Sequence, residues 1–311
     1  MTIPLLLAID MAPENQARLR EAGFEPLPAS RTQPPEARAA EIRAVLTNGS
    51  TGFSAAQIAA LPALEIICAL GAGYEKIDLA AASARGITVT NGAGTNDSAV
   101  ADHAMMLLLA SVRGVVQADA AARRGEWAGA RQLRPSVSGK RLGLLGLGHI
   151  GQRIAERAAG GFGMEIAYHS RRPREGSPFR HEPGLAALAS WCDFLVVAAP
   201  GGAETRHLVD APVLEALGPG GFLVNIARGS VVDTQALIEA LEQGRIAGAG
   251  LDVVEGEPDD IPTRLTRLEN VILTPHIAGR SPEAVQATIR LVIDNLRAHF
   301  SGQPVLTPVS G

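Results

Sequence analysis

Short, unbroken apolar runs alternate with Ala-rich amphipathic stretches along most of this chain. Apolar runs without an in-and-out alternation are typical of parallel strands that helices cover on both faces. The amphipathic stretches between them have the length of connecting helices, so the pattern predicts an α/β fold with parallel sheets. The runs that we expect to be strands are LLLAI, AVLTNG, LEIICALG, ITVTNG, RLGLLGLG, EIAYHS, FLVVAAP, GFLVNIA, IAGAGLDV and VILTP.

The alternation occurs in two series, which a long helix-like run separates. This run extends from about residue 97 to 124 and is interrupted at Gly114. A chain of 311 residues is long enough that we expect its core to divide between two domains. After the second series, a last helix is predicted with Ser281 as its N-cap and Pro282 at its first position.

The charge balance argues against two classes of partner. The formal net charge of -4 and the sequence pI of about 6.0 provide no overall attraction to nucleic acid or to an anionic membrane, so we expect neither as a partner. The start, MTIPLLLAID, has no basic leader and too short an apolar run for a signal peptide, and no segment is apolar enough to span a bilayer. A cytoplasmic location is therefore expected.

Cysteine and histidine usage predicts neither a disulfide nor a metal site. Cys68 and Cys192 each lie inside an apolar run, where a free thiol behaves as a small buried hydrophobic group. The seven histidines form no ligand cluster with either cysteine. We therefore expect two buried thiols and no metal.

A glycine motif, GLGHIG, links one predicted strand to one predicted helix, which is the setting that a dinucleotide fingerprint requires. Glycines there permit a tight turn and a close approach of the backbone to a pyrophosphate, while the helix directs its free N–H groups at that charge. The alternative is a glycine-rich turn without a ligand, but the flanking strand and helix favour a cofactor site. Its predicted residues are Gly146, Gly148, His149, Ile150 and Gly151.

The end of the next predicted strand indicates which dinucleotide is preferred. An NAD site uses a carboxylate there to bind the ribose 2'-hydroxyl, and that carboxylate would repel a 2'-phosphate. This chain has Ser170, Arg171 and Arg172 instead, and guanidinium groups bind phosphate oxygens well. A solvated basic loop is the alternative. We expect NADP(H), with NAD(H) possible but disfavoured.

Three polar residues follow later apolar strands: Arg228 in NIARGSVVD, Glu257 in LDVVEGEP and His276 in TPHIAG. Ligands of open α/β sheets bind beyond the carboxyl ends of the strands, so these side chains are candidates for one crevice. Each alone has a simpler explanation: a surface ion pair, a loop carboxylate and a hydrogen-bonded structural histidine. Their combination is what favours a catalytic site.

These motifs resemble the D-2-hydroxyacid dehydrogenase family in content and order. With three further segments, the resemblance covers nearly the whole chain; these segments are ALGAGYEKID, NGAGTNDSAVADHAMMLLLA and AAPGGAETRHLV. The resemblance implies two Rossmann-like or flavodoxin-like parallel-sheet domains separated by a cleft. It also implies a discontinuous substrate-binding domain, residues 1–97 and 284–311, and a dinucleotide-binding Rossmann domain, residues 98–283.

By this resemblance, Arg228 binds the carboxylate and carbonyl of a 2-keto acid, His276 donates the proton and Glu257 orients the histidine. Chemistry supports these roles, because a guanidinium matches a carboxylate and an imidazolium can donate a proton near neutral pH. The resemblance adds contacts to substrate and to cofactor. These are Ala72 and Gly73 for the substrate, and Pro200, Thr205, Ile226, Ala227 and Asp252 for the cofactor.

One departure from the family bears on the substrate. Many members have His-x-Pro after the fourth strand of the cofactor domain, whereas this chain has Ala198, Ala199 and Pro200. With the two arginines, this points to the NADPH-dependent glyoxylate or hydroxypyruvate reductases. A bulkier keto acid, such as phenylpyruvate or 2-ketogluconate, and a dinucleotide-sensing protein similar to a corepressor remain alternatives. The family usually dimerises through the cofactor domain, so we expect a homodimer, with the MMLLLA run as a candidate contact or as buried core.

Overall fold

The structure is a computed structural model that describes residues 2–28 and 38–309. It separates into two compact units, Met1–Asn96 with Gly279–Gly311, and Asp97–Ala278. The divisions predicted from the sequence lie at 97/98 and 283/284. Residues 1, 29–37 and 310–311 of the predicted first domain lie outside the described part, and the roles assigned to the two domains stay predictions.

The first unit is a five-stranded parallel sheet with helices on both faces, in the order β2-β1-β3-β4-β5. Its strands are β1 (Ile3–Leu7), β2 (Phe24–Pro28), β3 (Ala44–Asn48), β4 (Ile66–Leu70) and β5 (Thr88–Thr90), and its helices are α1 (Pro13–Glu21), α2 (Ala55–Ala59), α3 (Leu79–Ala84) and α11 (Pro282–Phe300).

Successive residues of each strand point to opposite faces of this sheet. In β1, Leu5 and Leu7 belong to the cluster that also contains Leu296 of α11, while Leu6 belongs to the opposite cluster. The period of two along a strand produces this division. The predicted cap of α11 is confirmed, because the Ser281 hydroxyl accepts a hydrogen bond from the Ala284 N–H at 3.1 Å. The C-terminal helix is thereby fixed in the core of the first unit.

The strand β2 was not among the predicted strands. Its sequence, FEPLP, contains Pro26 and Pro28, which lack the N–H that a strand with two neighbours needs. The structure places β2 at the edge of the sheet, beside β1 alone. At an edge, one side of the strand needs no hydrogen bonds, so the prolines are tolerated there.

The second unit is a seven-stranded parallel sheet in the order β12-β11-β10-β9-β6-β7-β8. Its strands are β6 (Arg141–Leu145), β7 (Glu165–His169), β8 (Arg180–His181), β9 (Phe194–Val197), β10 (Phe222–Asn225), β11 (Gly248–Leu251) and β12 (Val271–Leu273). Its helices are α4 (Asp97–Arg113), α5 (Val115–Arg123), α6 (His149–Phe162), α7 (Leu185–Trp191), α8 (Ala211–Leu217), α9 (Thr234–Glu242) and α10 (Thr263–Thr266).

The strand order reverses between β6 and β9, so the loops that follow these two strands diverge to opposite faces of the sheet. Such a switch point is where doubly wound sheets bind dinucleotides. All strand pairs in both sheets are parallel. The predicted fold class, two parallel-sheet α/β domains, is confirmed. The two-residue strand β8 was not predicted, because it is too short to produce a pattern.

The MMLLLA run lies in α4 and is mainly core. Met105, Leu107 and Leu108 are buried inside the second unit, whereas Met106 is 41% exposed. The alternative that these residues are buried core is therefore the correct one for most of the run. Among the described residues no single helix is long and apolar enough to cross a membrane; the pair α4 and α5, bent by 61°, passes that test by length and composition alone.

Both cysteines are free and buried, as predicted. Burial raises the pKa of the Cys68 thiol and of the Cys192 thiol to about 12, because an apolar surrounding disfavours the thiolate. Neither thiol is therefore a nucleophile at neutral pH.

Candidate active site

The GLGHIG loop lies at the switch point and has the shape that a pyrophosphate requires. A Cβ at Gly146, where φ is 100°, would lie 2.9 Å from the Ala199 nitrogen, and one at Gly151 would lie 2.2 Å from the Gly146 oxygen. These contacts require glycine, since they bring backbone against backbone. Gly148 is different, because a Cβ there would meet no atom within 4 Å.

The open position at Gly148 is the N-cap of α6, and no side chain caps this helix end. His149 and Ile150 form the first turn, so its N–H groups and positive dipole end are available to an anion. The residues present therefore fit a dinucleotide pyrophosphate at this loop.

The predicted 2'-phosphate residues follow β7 on the surface. The Arg171 guanidinium is 86% exposed and pairs with the Glu204 carboxylate at 2.5 Å, and Arg172 is also exposed. The Ser170 hydroxyl donates to the Arg172 carbonyl at 2.6 Å, which folds the strand end into a turn. Arg174 donates to the Leu147 carbonyl at 2.7 Å and so ties this turn to the glycine loop.

The other predicted cofactor residues follow β9 and β10. The Thr205 hydroxyl donates to the Pro200 carbonyl at 2.8 Å, closing the loop after β9. Ile226 and Ala227 are both 7% exposed and follow β10 directly. Thus the structure brings these residues to the same carboxyl edge of the sheet as the glycine loop.

Arg228 is held by a buried amide at the end of β10. The Asn225 side chain accepts from the Ala227 N–H at 3.0 Å and donates to the Arg228 carbonyl at 3.1 Å. The next residue, Gly229, packs so closely that a Cβ would lie 2.1 Å from the Val254 carbonyl carbon. The loop that carries Arg228 is therefore in contact with the loop that carries the acidic residues after β11.

Glu257 and His276 form a hydrogen-bonded pair. The His276 Nδ1 atom lies 2.7 Å from Glu257 Oε1, and the side chains are 37% and 26% exposed. A carboxylate at Nδ1 stabilises the imidazolium and fixes the ring. Because Nδ1 is occupied by Glu257, Nε2 is the ring atom left to act on a substrate.

A buried carboxylate supports the backbone around His276. Asp252 is 1% exposed, and Oδ1 accepts from the Thr274 hydroxyl at 2.6 Å and from the Ile277 N–H at 2.9 Å. Oδ2 accepts from the Ala278 N–H at 2.9 Å. His276, which lies between Thr274 and Ile277 in the chain, has φ 53°, a left-handed conformation that is unfavourable for a residue with a Cβ. Hydrogen bonds on both sides maintain this conformation.

Comparisons with known proteins agree with this geometry. A family model described as D-isomer specific 2-hydroxyacid dehydrogenase, NAD binding domain, matches residues 105–278. The chain is 42% identical over 310 residues to a 2-ketogluconate reductase of Gluconobacter oxydans, covering 98% of both chains. The chain belongs to the D-isomer-specific 2-hydroxyacid dehydrogenase family.

Two further relatives of this 2-hydroxyacid dehydrogenase are similar over most of their length. One is a glyoxylate/hydroxypyruvate reductase of Arabidopsis thaliana, 45% identical over 269 residues, with 86% of this chain and 85% of the relative covered. The other is the crystal structure of an NADPH-dependent glyoxylate/hydroxypyruvate reductase from Sinorhizobium meliloti in complex with NADP and malonate. It has a TM-score of 0.91 and 41% identity, and covers 99% of this chain and 97% of that one. The predicted family and enzyme class, an NAD(P)-dependent D-2-hydroxyacid dehydrogenase, are confirmed.

The predicted substrate segment of the dehydrogenase, Ala72 and Gly73, lies in the first unit after β4. The Asn91 side chain donates to the Ala72 carbonyl at 2.8 Å. A Cβ at Gly49 would lie 2.6 Å from the Gly73 carbonyl carbon, so two loops pack closely there. The role of Ala72 and Gly73 in substrate binding stays a prediction.

Some residues that shape this site were not predicted. Asn225 aligns the Arg228 loop, and Glu255 accepts from His207 Nε2 at 2.8 Å and from the Thr234 N–H at 3.4 Å. His207 also has a positive φ of 53°. Only their positions in the sequence could have identified these residues, because Asn225 ends an apolar strand and Glu255 lies two residues before Glu257.

We expect the close contact at Gly151 to be essential for the cofactor loop. Replacing Gly151 by alanine places a methyl group against the Gly146 carbonyl and displaces the loop. We expect NADPH binding to weaken roughly ten- to hundredfold, measured as Kd by fluorescence titration. The matched control is Gly160→Ala in the same helix, where a Cβ meets nothing within 4 Å. Equal NADPH affinities of the two variants would contradict this role.

Proposed function

We propose that the chain is an NADPH-dependent reductase that converts glyoxylate or hydroxypyruvate to the corresponding D-2-hydroxy acid. The observation that carries this proposal is the 2.7 Å pair of His276 and Glu257. It lies at the carboxyl edge of a dinucleotide-binding sheet, where the loop of Arg228 contacts the loop after β11. A proton donor, its carboxylate and a guanidinium are the groups that reduction of a 2-keto acid needs.

Arg228 binds the substrate in this proposal. Its planar guanidinium can hold a carboxylate by two parallel hydrogen bonds and also interact with the adjacent keto oxygen. Negative charge grows on that oxygen during reduction, so a fixed positive charge stabilises the transition state more than the ground state. Asn225 supports this role because it fixes the backbone on both sides of Ala227.

His276 supplies the proton. The keto oxygen must gain a proton as the alcohol forms, and the Nε2–H of the imidazolium is the donor that remains once Nδ1 is bonded to Glu257. Glu257 keeps the ring in one orientation and stabilises the imidazolium before the proton leaves. In the reverse direction, the neutral Nε2 accepts the proton of the hydroxy acid.

The cofactor is proposed to bind along the same edge. The glycines of the GLGHIG loop and the first turn of α6 would bind the pyrophosphate, and Ile226, Ala227 and the loop closed by Thr205 would line its remainder. When bound, the cofactor supplies the hydride to the carbonyl carbon. These buried side chains would keep water away from the reacting atoms.

Two alternatives are tested with the main proposal. A bulkier substrate such as 2-ketogluconate is one, since a 2-ketogluconate reductase is 42% identical to this chain. A dinucleotide-sensing binding protein is the other, and it predicts cofactor binding without turnover. The His276–Glu257 pair favours catalysis, because binding alone does not require a proton donor.

The decisive experiment measures initial rates of NADPH oxidation with glyoxylate, hydroxypyruvate, pyruvate, phenylpyruvate and 2-ketogluconate, each repeated with NADH. We expect the highest kcat/KM for glyoxylate or hydroxypyruvate with NADPH. A higher value for 2-ketogluconate or phenylpyruvate replaces the substrate assignment. Tight NADPH binding with no turnover on any of the five acids supports the sensing alternative instead.

The NADPH preference is assigned to Arg171 and Arg172. Both are exposed at the end of β7, and Arg171 already pairs with a carboxylate that a phosphate can displace. Changing both to glutamine is expected to weaken NADPH binding roughly tenfold or more, because charge-assisted hydrogen bonds to the phosphate are lost. The Kd for NADH should change by no more than about twofold, because NADH lacks that phosphate.

The matched control changes Arg123 and Arg124 to glutamine. These adjacent arginines are also exposed and also pair with carboxylates, those of Asp119 and Glu126. Their replacement should leave both cofactor affinities unchanged. Equal losses of NADPH and NADH affinity in the Arg171 and Arg172 variant would argue against phosphate recognition at this turn.

We also propose that the enzyme is cytoplasmic and acts as a homodimer. Both proposals are drawn from the resemblance to the family. Light scattering of the purified protein measures the oligomeric state directly.

A further inference from the structure

One face of α4 packs unusually closely on β11. His103, Leu107 and Ser111 are spaced four residues apart, so they share this face of the helix. A Cβ at Gly250 of β11 would lie 3.0 Å from the Leu107 Cβ and 2.9 Å from the Ser111 hydroxyl oxygen. The missing side chain of Gly250 therefore allows the helix to approach the strand.

This approach brings His103 to the end of the same strand. Residues 250 and 252 point to the same side of β11, because side chains alternate along a strand. The Asp252 N–H still bonds to the Asn225 carbonyl at 2.9 Å, so the strand geometry continues to this residue. His103 Nε2 accordingly lies 3.3 Å from Asp252 Oδ1 and 2.9 Å from the Thr274 hydroxyl oxygen.

The directions of these hydrogen bonds follow from counting protons. The Thr274 hydroxyl has one proton, and the 2.6 Å contact to the Asp252 carboxylate uses it. The contact between Thr274 and His103 must then have Nε2–H as its donor. The hydrogen bond of His103 therefore goes to Thr274, and the same Nε2–H makes a close electrostatic contact at 3.3 Å with Oδ1 of Asp252, a carboxylate that is 1% exposed.

The Asp252 carboxylate in turn determines the backbone beside His276. It accepts the N–H groups of Ile277 and Ala278, the two residues that follow the histidine. The Asp252 carbonyl accepts the His276 N–H itself at 2.9 Å. Without the His103 donor, the Thr274 hydroxyl loses the group that holds it against Asp252, and the buried carboxylate loses a favourable neighbour, so both can move. Any such movement shifts the segment that carries His276.

We propose that His103 is a positioning residue for the proton donor: its Nε2–H holds the Thr274 hydroxyl against Asp252, and through these two residues it maintains the left-handed backbone at His276. The inference rests on the proposed reductase function of His276. His103 lies on a different element from the three predicted catalytic residues, and among the hydrogen bonds of residues 2–28 and 38–309 it bonds to neither Glu257 nor His276, so its effect is transmitted through Thr274 and Asp252.

The test compares His103→Leu, which removes the donor, with His103→Gln, whose Nε2 amide places a donor at a similar distance. Amide hydrogen exchange is measured at Ile277 and Ala278 in the cofactor-free protein. In parallel, kcat and the KM values for NADPH and keto acid are determined. The matched control is His299→Leu on α11, whose side chain is 19% exposed against 13% for His103.

We expect His103→Leu to speed exchange at these two amides by about tenfold, because their acceptor becomes mobile. We expect kcat to fall roughly ten- to hundredfold, with KM values changing by less than about threefold, because a small displacement of the proton donor affects the transition state most. His103→Gln should restore both quantities to within about threefold of the wild type. His299→Leu should change neither.

Three results would overturn the inference: unchanged exchange at Ile277 and Ala278 in His103→Leu, an unchanged kcat in that variant, or a glutamine variant as defective as the leucine one. If His103→Leu does not fold, Thr274→Val and Thr274→Ser make the same comparison at the bridging hydroxyl. A wild-type protein without turnover on any keto acid would refute the proposed function. The exchange measurements would still decide whether His103 holds this segment.

Discussion

Replacing His276 by alanine is expected to lower kcat for keto-acid reduction by about 10²–10⁴-fold, the usual contribution of a positioned general acid. The imidazole is the only ring bonded to the Glu257 carboxylate among the hydrogen bonds of the described residues, and its Nε2 is left for the substrate. Steady-state rates with NADPH and the best keto acid measure the loss. The Kd for NADPH should remain within about threefold of the wild type, because the predicted phosphate contacts are unchanged.

The control for His276→Ala is His299→Ala, since His299 lies on α11 in the first unit, where its Nε2 pairs with the Glu65 carboxylate at 3.7 Å. It should retain full activity. A His276→Ala variant that keeps wild-type turnover would show that another group, or solvent, donates the proton. A variant that binds no NADPH would instead show that the histidine is needed for the structure of the cofactor site.

Replacing Arg228 by glutamine is expected to lower kcat/KM by about 10²–10³-fold, because it removes both the carboxylate anchor and the charge beside the keto oxygen. KM for the keto acid should rise and kcat should fall together. Arg228→Lys keeps the charge but loses the planar pair of donors, so it should recover only part of the activity. Full rate profiles against keto-acid concentration separate the two contributions.

Arg264 provides the comparison for Arg228. It is an exposed arginine of the same unit that pairs with Glu242 at 2.6 Å, and Arg264→Gln should leave kcat and KM unchanged. Normal kcat/KM in Arg228→Gln would remove Arg228 from the site. Lysine performing as well as arginine would show that charge alone, without the bidentate geometry, is sufficient.

Much of the fold was predictable from local patterns. Ten apolar runs became strands of the two sheets, and Ser281 caps α11 as expected. The failures were β2, whose prolines are acceptable only at an edge, and β8, which has two residues. Both strands are stabilised by pairing with another strand of the sheet. The residues of each strand alone do not show that pairing.

The candidate site was predictable to a similar degree. The glycine loop lies at the switch point, and His276 bonds to Glu257, which is 19 positions away in the chain. The resemblance to the family named these residues and also placed Asp252 beside the cofactor, which stays a prediction. The structure adds that both Asp252 oxygens accept hydrogen bonds from the protein.

The sequence by itself determined the parallel α/β class, because strand and helix periods are local properties. It also predicted the cofactor loop, from its glycines, and the three residues proposed to act on the substrate, from strand ends and the resemblance to the family. Only the tertiary structure decided which residues support them. His103 and Thr274 are separated by 171 positions and meet because Gly250 lets α4 approach β11. A histidine in a helix has no sequence signal for such a contact, since the contact depends on the packing distance between two elements rather than on either element alone.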